Sequence, residues 1–493
     1  MSISSQTLRL VAADSTVVLI FRIVALPVLF GLNWVMVRFY GAEQTGVYCI
    51  ALNLAGMLTL GCGLGLETGL LRFMAGNLAQ GQGGDWPRLL RPAVALVGLL
   101  ATVAALLMYA SGGALARWFG APHLPTVLGL VALSLPALAV SRLLTEAIRA
   151  LGGVRWLVLE ENLLTPLVFL GLLVGLAAVA GGPLSLPRML GSAFLGKSWL
   201  AFGFLAGLLW WLARPRRGEP TDATWRGLLH YSWPIYLTNI SLMLFGYLDI
   251  LILGLFTDPA EVAYYNVATK IAIFVSFPLV AVNAVVPPLF ARFHQLGDLA
   301  QLENLAQSSA RWMYYAALPV SLLVVLLAPH LLGAFGQEFL KARVALAILV
   351  ASQLVNVTSG SVGVILQMTG HQREMMRLRI LVGLASLALM PVLAYSQGLN
   401  GIALASALSI AAINLLMLVT VWRRLHIKAF AASIRMANLG GILGLALFLL
   451  SLPVVGPVGA SAAFLAGYTA LVTKTIRQEL RLLRRAQGIE VSV

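Results

Sequence analysis

The sequence predicts an all-α polytopic membrane protein of about 14 transmembrane helices: two six-helix lobes related by a parallel repeat around a central cavity, plus two extra C-terminal helices. Three observations carry that prediction. The long apolar runs of the 493-residue chain come in one size, about 20 residues, which is the length a helix needs to cross a hydrocarbon core of roughly 30 Å. The basic residues alternate between successive loops, and the chain matches itself at an offset near 217 residues. A hydrophobic fraction of 60%, a charged fraction of 10% and a mean hydropathy of +0.92 lie outside the range of soluble domains.

The elements follow in order. Spans 1 to 3 are Val17 to Val37, Val47 to Leu66 and Val94 to Tyr109. Spans 4 to 6 are 124 to 142, 162 to 180 and 190 to 212, which completes a first lobe over residues 1–213. Residues 214–227 form a cytoplasmic linker, since Arg214-Pro215-Arg216-Arg217-Gly218-Glu219-Pro220 is the most polar, Pro/Gly-marked stretch of the chain. Spans 7 to 12 are 229 to 256, 262 to 290, 312 to 332, 344 to 367, 380 to 396 and 400 to 421, within a second lobe over 228–427. Residues 428–493 hold spans 13 and 14, at 439 to 455 and 457 to 473, and a basic tail. In that tail Lys474, Arg477, Arg481, Arg484 and Arg485 recur at helical spacing, as in a helix lying on anionic lipid. Pro27, Pro166, Pro234, Pro278 and Pro319 fall within spans and are expected to kink them. Gly61, Gly65 and Gly69 form a double GxxxG on span 2, a surface for close helix packing or a hinge.

Charge sets the orientation. Of 33 basic residues, 25 lie at the termini and in the loops after even-numbered spans, five in the other loops and three inside spans. The positive-inside rule then puts both termini in the cytoplasm. The net charge of +15 is thereby a topology signal, and it argues against nucleic acid as a partner. The first apolar run is too long for a signal-peptide core and has no small-residue cleavage site, so span 1 is expected to be retained. Cys49 and Cys62 lie thirteen residues apart on span 2, about 20 Å along one helix, too far for a disulfide. No metal-ligand spacing, cofactor motif or catalytic constellation is present, and an enzyme is not expected. The P-loop pattern Gly191 to Ser198 lies inside an apolar span, where nucleotide binding has no strand or soluble helix to support it.

The repeat gives weight to polar residues inside spans. Arg149-Ala150-Leu151-Gly152 and Arg155 fall opposite Gln367-Met368-Thr369-Gly370 and Arg373 at 218, and Gly46-Val47-Tyr48 opposite Ala263-Tyr264-Tyr265 at 217. An even number of spans per copy makes the repeat parallel, with its axis along the membrane normal. Each intramembrane charge costs about 2.5–3.5 kcal/mol on insertion scales, so such residues face a cavity or a partner. An offset of 217 takes Arg22 to Asn239, Asn53 to Lys270 and Lys197 to Asn414, and 216 takes Asn33 to Asp249. We therefore expect Arg22, Lys270 and Lys197 to bind an anionic group, with Asn33, Asn53, Asn239 and Asn414 as neutral cavity contacts. Asp249 and Glu67 are candidates for ion coupling or charge balance. The first half shows no carboxylate cluster within its spans, which argues against an ion-coupled drug exporter.

Arg38-Phe39-Tyr40-Gly41-Ala42-Glu43-Gln44-Thr45-Gly46-Val47-Tyr48, then Leu71-Arg72-Phe73, and Thr257-Asp258-Pro259-Ala260-Glu261-Val262-Ala263-Tyr264-Tyr265-Asn266-Val267-Ala268-Thr269-Lys270 in the second half, resemble bacterial polysaccharide-transport proteins. These are the O-antigen and exopolysaccharide flippases of the multidrug/oligosaccharidyl-lipid/polysaccharide exporter superfamily, which also holds MATE-like exporters. The resemblance covers spans 1 to 12. It implies translocation of a polyprenyl-pyrophosphate-linked oligosaccharide from the cytoplasmic to the periplasmic leaflet of the bacterial inner membrane by alternating access. Arg22 and Lys270 would then hold pyrophosphate, while Asn and Tyr side chains would meet sugar. It further implies membrane lipids, a polymerase and other polysaccharide-assembly proteins as partners. The alternatives are an ion-coupled multidrug exporter and a peptidoglycan lipid-precursor flippase, the latter sharing the fourteen-span count.

Overall fold

The computed structural model describes residues 5–79, 86–179, 186–213 and 224–429, and beyond these only 459–469 and a few single positions. Within them the side chains of 5–20, 22–26 and 237–245 are not described. Span 13 and the basic tail thus lie outside the described residues, as do the side chains of Arg22 and Asn239.

Every regular element among the described residues is helical. Among the described residues eight helices are long and apolar enough to cross a membrane, nine if one bent pair counts as a single span. Two of these are too long to be single passes. Helix α1 (Ser5–Cys62) and a later helix, Gln372–Leu425, hold 58 and 54 residues, about 87 and 81 Å at 1.5 Å per residue. Each is interrupted by one glycine outside the helical region, Gly41 at φ 78° and Gly398 at φ 54°, a conformation open to a residue without Cβ. Each therefore holds two consecutive spans, which accounts for part of the difference between the count of long helices and the count of apolar runs.

The chain divides into two compact units, Met1–Val267 with Gly383–Ile402, and Ala268–Val382 with Ala403–Val493. In unit 1, α2 (Leu66–Ala79) completes span 2 after a break at Leu64 and Gly65, both with positive φ. Then come α3 (Trp86–Ala110), α4 (Gly112–Trp118), and α5 (Leu124–Ala132), which bends by 44° into α6 (Leu135–Ala150). Span 5 is α7 (Val154–Leu159), a π-helical turn (Glu160–Leu164) and α8 (Thr165–Val179); span 6 is α9 (Leu186–Ala213). Span 7 is broken into α10 (Trp225–Gly246) and α11 (Leu248–Phe256), and span 8 opens with α12 (Pro259–Ala272). The core of the unit packs Leu66, Leu70, Leu89, Val97, Leu143, Ile148, Leu205 and Leu228 from five helices.

Unit 2 continues through α13 (Phe277–Asn283), α14 (Pro287–Gln295), α15 (Leu299–Leu326), α16 (Ala328–Gly333), α17 (Arg343–Thr358), α18 (Val362–Met368) and the two ends of α19 (Gln372–Leu425), whose middle, Gly383–Ile402, belongs to unit 1. Span 14 docks on α15: the Tyr468 hydroxyl donates to the Tyr315 carbonyl at 2.7 Å, and Phe464 stacks on Tyr468.

Local structure repeats where the sequence does. Gly152 and Gly370, 218 residues apart, close the fourth and tenth spans at φ 85° and 84°, and the next helices begin at Val154 and Gln372, again 218 apart. The prolines divide into two groups. Pro27, Pro234 and Pro319 lie inside helices as expected. Pro166 and Pro278 instead stand at the second residue of α8 and α13, after a π and a 3₁₀ turn, where a missing N–H breaks no helical bond.

Candidate functional site

Span 2 approaches spans 7 and 8 through its glycines. A methyl at Gly46 would overlap the Pro259 carbonyl, one at Gly56 the Tyr247 ring, one at Gly65 the backbone of Ser232 and Tyr236, and one at Gly69 the Ser232 hydroxyl. Gly61 faces open space. Two of the three GxxxG glycines thus serve close packing, as small residues do between membrane helices.

Beside this seam unit 1 encloses a cavity of about 830 Å³ between α2, α6, the π turn, α9 and the α10–α11 break. Its wall carries Glu67, Arg142, Glu146, Arg149, Glu160, Glu161 and Lys197, with Ser141, Thr145, Thr165 and Tyr247 between them. Along α6 it runs from Leu138 to Arg149, about 16 Å at 1.5 Å per residue. The π turn shifts the register of span 5 by one residue and presents Glu160 and Glu161 to the cavity; such bulges are frequent at functional sites.

The charges pair locally. Arg142 Nε donates to Glu67 Oε1 at 2.7 Å, and Arg149 Nη1 to Glu146 Oε1 at 2.7 Å. The second Glu146 oxygen and the Ser141 hydroxyl are buried without a hydrogen-bond partner in the structure. Glu160 accepts from the Thr165 hydroxyl at 2.6 Å. Lys197 lies in the field of Glu160, with its ammonium 4.5 Å from the ring centre of Phe194 and 5.3 Å from that of Phe169. Cation–π contact partly replaces the water a buried ammonium has lost.

The structure therefore brings two expected residues, Lys197 and Glu67, into one cavity. It also corrects an expectation: four carboxylates of the first half share that cavity, so a carboxylate cluster does exist there. A hydropathy window ends where charge begins, so it leaves Glu146, Glu160 and Glu161 between spans 4 and 5. The signal that could have found them was the adjacent acidic pair preceding span 5 in a chain with only 18 acidic residues.

The other expected residues lie elsewhere. Asp249 is in the first turn of α11, where Oδ1 accepts from the Ile250 N–H at 2.8 Å and Oδ2 from the Tyr265 hydroxyl at 3.0 Å. Asn33, its repeat counterpart, accepts at 3.5 Å from Asn266, the neighbour of Tyr265. These two related positions reach adjacent residues of α12. Asn33, Asn53 and Asn414 each also donate to the carbonyl four residues earlier in their own helix. In unit 2 Asn414 donates to Asn356 Oδ1 at 3.1 Å, and Lys270 is exposed near the end of α12.

Comparison with known proteins adds three findings. A family model described as polysaccharide biosynthesis protein matches residues 11–294, and a second, MatE, matches residues 234–395. The chain is 25% identical over 236 residues to a protein of Haloferax volcanii named a probable low-salt glycan biosynthesis flippase, Agl15. That match covers 47% of this chain and spans half the length of the relative. Among solved structures the fold is similar to the lipid II flippase MurJ in an inward closed conformation, with a TM-score of 0.75, 14% identity, 95% of this chain and 100% of that one. It is also similar to an inward-facing MATE family multidrug resistance transporter, with a TM-score of 0.64, 15% identity, 83% of this chain and 98% of the other. At these identities the structural likeness speaks for the fold.

Proposed function

We propose, from the premise that the chain belongs to the polysaccharide biosynthesis protein family, that it is a flippase carrying a polyprenyl-pyrophosphate-linked oligosaccharide across the membrane by alternating access. The family lies within the multidrug/oligosaccharidyl-lipid/polysaccharide exporter superfamily, and the chain is a multi-pass membrane protein with the fold of that superfamily. The observation that carries the reading is the family match over residues 11–294, more than half of the chain. The printed function of the Haloferax relative, a glycan biosynthesis flippase, supports it.

In this reading the substrate is an O-antigen or exopolysaccharide repeat unit, moved from the cytoplasmic to the periplasmic leaflet of the bacterial inner membrane and handed to a polymerase. Pyrophosphate is assigned to Arg22, Lys270 and Lys197, and sugar contacts to Asn33, Asn53, Asn239 and Asn414.

The experiment is lipid extraction and mass spectrometry of cells depleted of the protein. Accumulation of a lipid-linked oligosaccharide together with loss of surface polysaccharide is expected. Intact surface glycan and no accumulation, in cells without a redundant flippase, would overturn the reading. A second reading, an ion-coupled multidrug exporter, is favoured by one observation, the carboxylate-lined cavity of unit 1. Drug resistance on overexpression with unchanged surface glycan would establish it.

A further inference from the structure

The second half of span 3 borders a groove that the rest of unit 1 leaves open. It measures about 1020 Å³ and is lined by α3 from Thr102 to Ala110, by α5 with the start of α6, and by Trp199 of α9. Its deep wall is hydrocarbon. Ala105, Leu130, Leu133 and Pro136 offer no polar side-chain atom, the Thr102 hydroxyl donates to the Gly98 carbonyl of its own helix at 2.7 Å, and the Trp199 indole N–H donates to the Leu133 carbonyl at 3.3 Å. Its mouth is polar. Tyr109 and Thr126 line it there, and the chain joining α3 to α5 adds Arg117 and Trp118 on α4, both exposed, with Arg117 in no ion pair among the described residues.

The repeat gives this face a precedent. An offset of 217 takes Ala105, Leu106, Tyr109 and Ala110 to Leu322, Leu323, Leu326 and Leu327. In unit 2 those four leucines pack against Phe464 and Ala460 of span 14. Spans 13 and 14 have no counterpart in the first half, and there the same face stays open, with Leu106 64% and Tyr109 70% exposed. Deeper in the span the halves differ. Tyr315, which meets Tyr468 of span 14, corresponds to Gly98, where Val140 of α6 lies 3.7 Å from the position of a Cβ. The open stretch therefore runs only from Thr102 to Ala110, about 12 Å at 1.5 Å per residue, less than half of a hydrocarbon core of roughly 30 Å.

We propose that the groove holds one acyl chain of an anionic phospholipid from the leaflet in which span 3 ends, with the phosphate at Arg117 and the glycerol ester region at Tyr109 and Thr126. In the orientation expected from the basic loops this is the periplasmic leaflet. Length decides against a helix as the occupant. A membrane-spanning segment of a second copy runs the full core, roughly 30 Å, whereas the groove ends near the midplane, as the acyl chain of one leaflet does. Polarity agrees, since hydroxyls and a cation at the mouth with hydrocarbon within match a lipid from headgroup to tail, and Tyr109 and Trp118 are residues of the interface. Contact holds the chain there, because an unfilled groove at hydrocarbon depth forfeits the dispersion contacts of its walls. The lipid gives the first half the cover that span 14 gives the second, and the inference holds whatever substrate is carried.

The test is photocrosslinking of the purified full-length protein in vesicles of phosphatidylethanolamine and phosphatidylglycerol, with a trace of phosphatidylglycerol bearing a photoreactive group at the end of its acyl chain. Peptide mapping by mass spectrometry is expected to find the label concentrated on residues 102–110 and 126–136. Ala105→Phe, which fills the groove, should lower that labelling several-fold, and Val103→Phe, on the exposed face of α3 outside the groove, should leave it unchanged. Arg117→Gln should lower labelling by the phosphatidylglycerol probe about fivefold, the worth of one cation at an anionic lipid surface, and leave labelling by a phosphatidylcholine probe unchanged. Labelling spread evenly over the lipid-facing helices, equal labelling in Ala105→Phe, or an unmoved result in Arg117→Gln would overturn the proposal. Competition by added polyprenyl phosphate would give the groove to a substrate tail, and a dimer that excludes the probe would give it to a second copy; either outcome also overturns it. Should Ala105→Phe fail to fold, Ala110→Phe, at the exposed end of the same wall, decides in its place.

Discussion

Removing Arg142 should cost more than removing the charge it neutralises. The Glu67 side chain is 8% exposed and that of Arg142 is 41% exposed, with 2.7 Å between Oε1 and Nε. Arg142→Ala strands a carboxylate in a nearly dry site. Breaking a fully buried pair costs about 3–5 kcal/mol, and the half-open arginine lowers that to about 2–3 kcal/mol, the range of a hydrogen bond to a charged group. Glu67→Gln removes the buried charge and leaves a guanidinium that the cavity can hydrate, at about 1 kcal/mol. The double variant should then be more stable than Arg142→Ala alone. Heat-induced loss of the monodisperse fraction in detergent, measured for the four proteins as a double-mutant cycle, gives the comparison. Equal costs for the single variants, or additivity within about 0.5 kcal/mol, would refute the claim that desolvation of Glu67 governs this pair.

Gly65→Ala and Gly61→Ala should separate, although both belong to the same GxxxG series. The first meets the backbone of α10 and adopts φ 73°, so expression of folded protein should fall sharply. The second faces open space and should be neutral, or stabilising by up to about 1 kcal/mol from helix propensity alone. Tyr265→Phe removes a hydrogen-bond donor from Asp249 and should lower the thermal midpoint by an amount equivalent to about 1.5–3 kcal/mol. In an Asp249→Asn background the same substitution should cost less, and an equal cost in both backgrounds would refute that coupling.

The membrane class was legible without coordinates because burial in hydrocarbon is a one-dimensional demand. Each pass needs its own apolar run, so composition and run length settle the class, and basic residues between runs set the expected orientation. The repeat was equally visible, since Gly152 and Gly370 must each close a span with positive φ and both copies kept the glycine. Lys197 and Glu67 announced themselves as charges in apolar surroundings. Only the tertiary structure decided that they share a cavity, because Glu67 meets Arg142 across 75 residues of chain and nothing local encodes that distance. Only it showed Glu146, Glu160 and Glu161 turning inward, because a hydropathy window ends at the first charge while a bent helix and a π turn carry the wall beyond it. The choice between hinge and packing for the span 2 glycines likewise depended on whether another backbone lay against them, which is a property of the neighbour and not of the glycine.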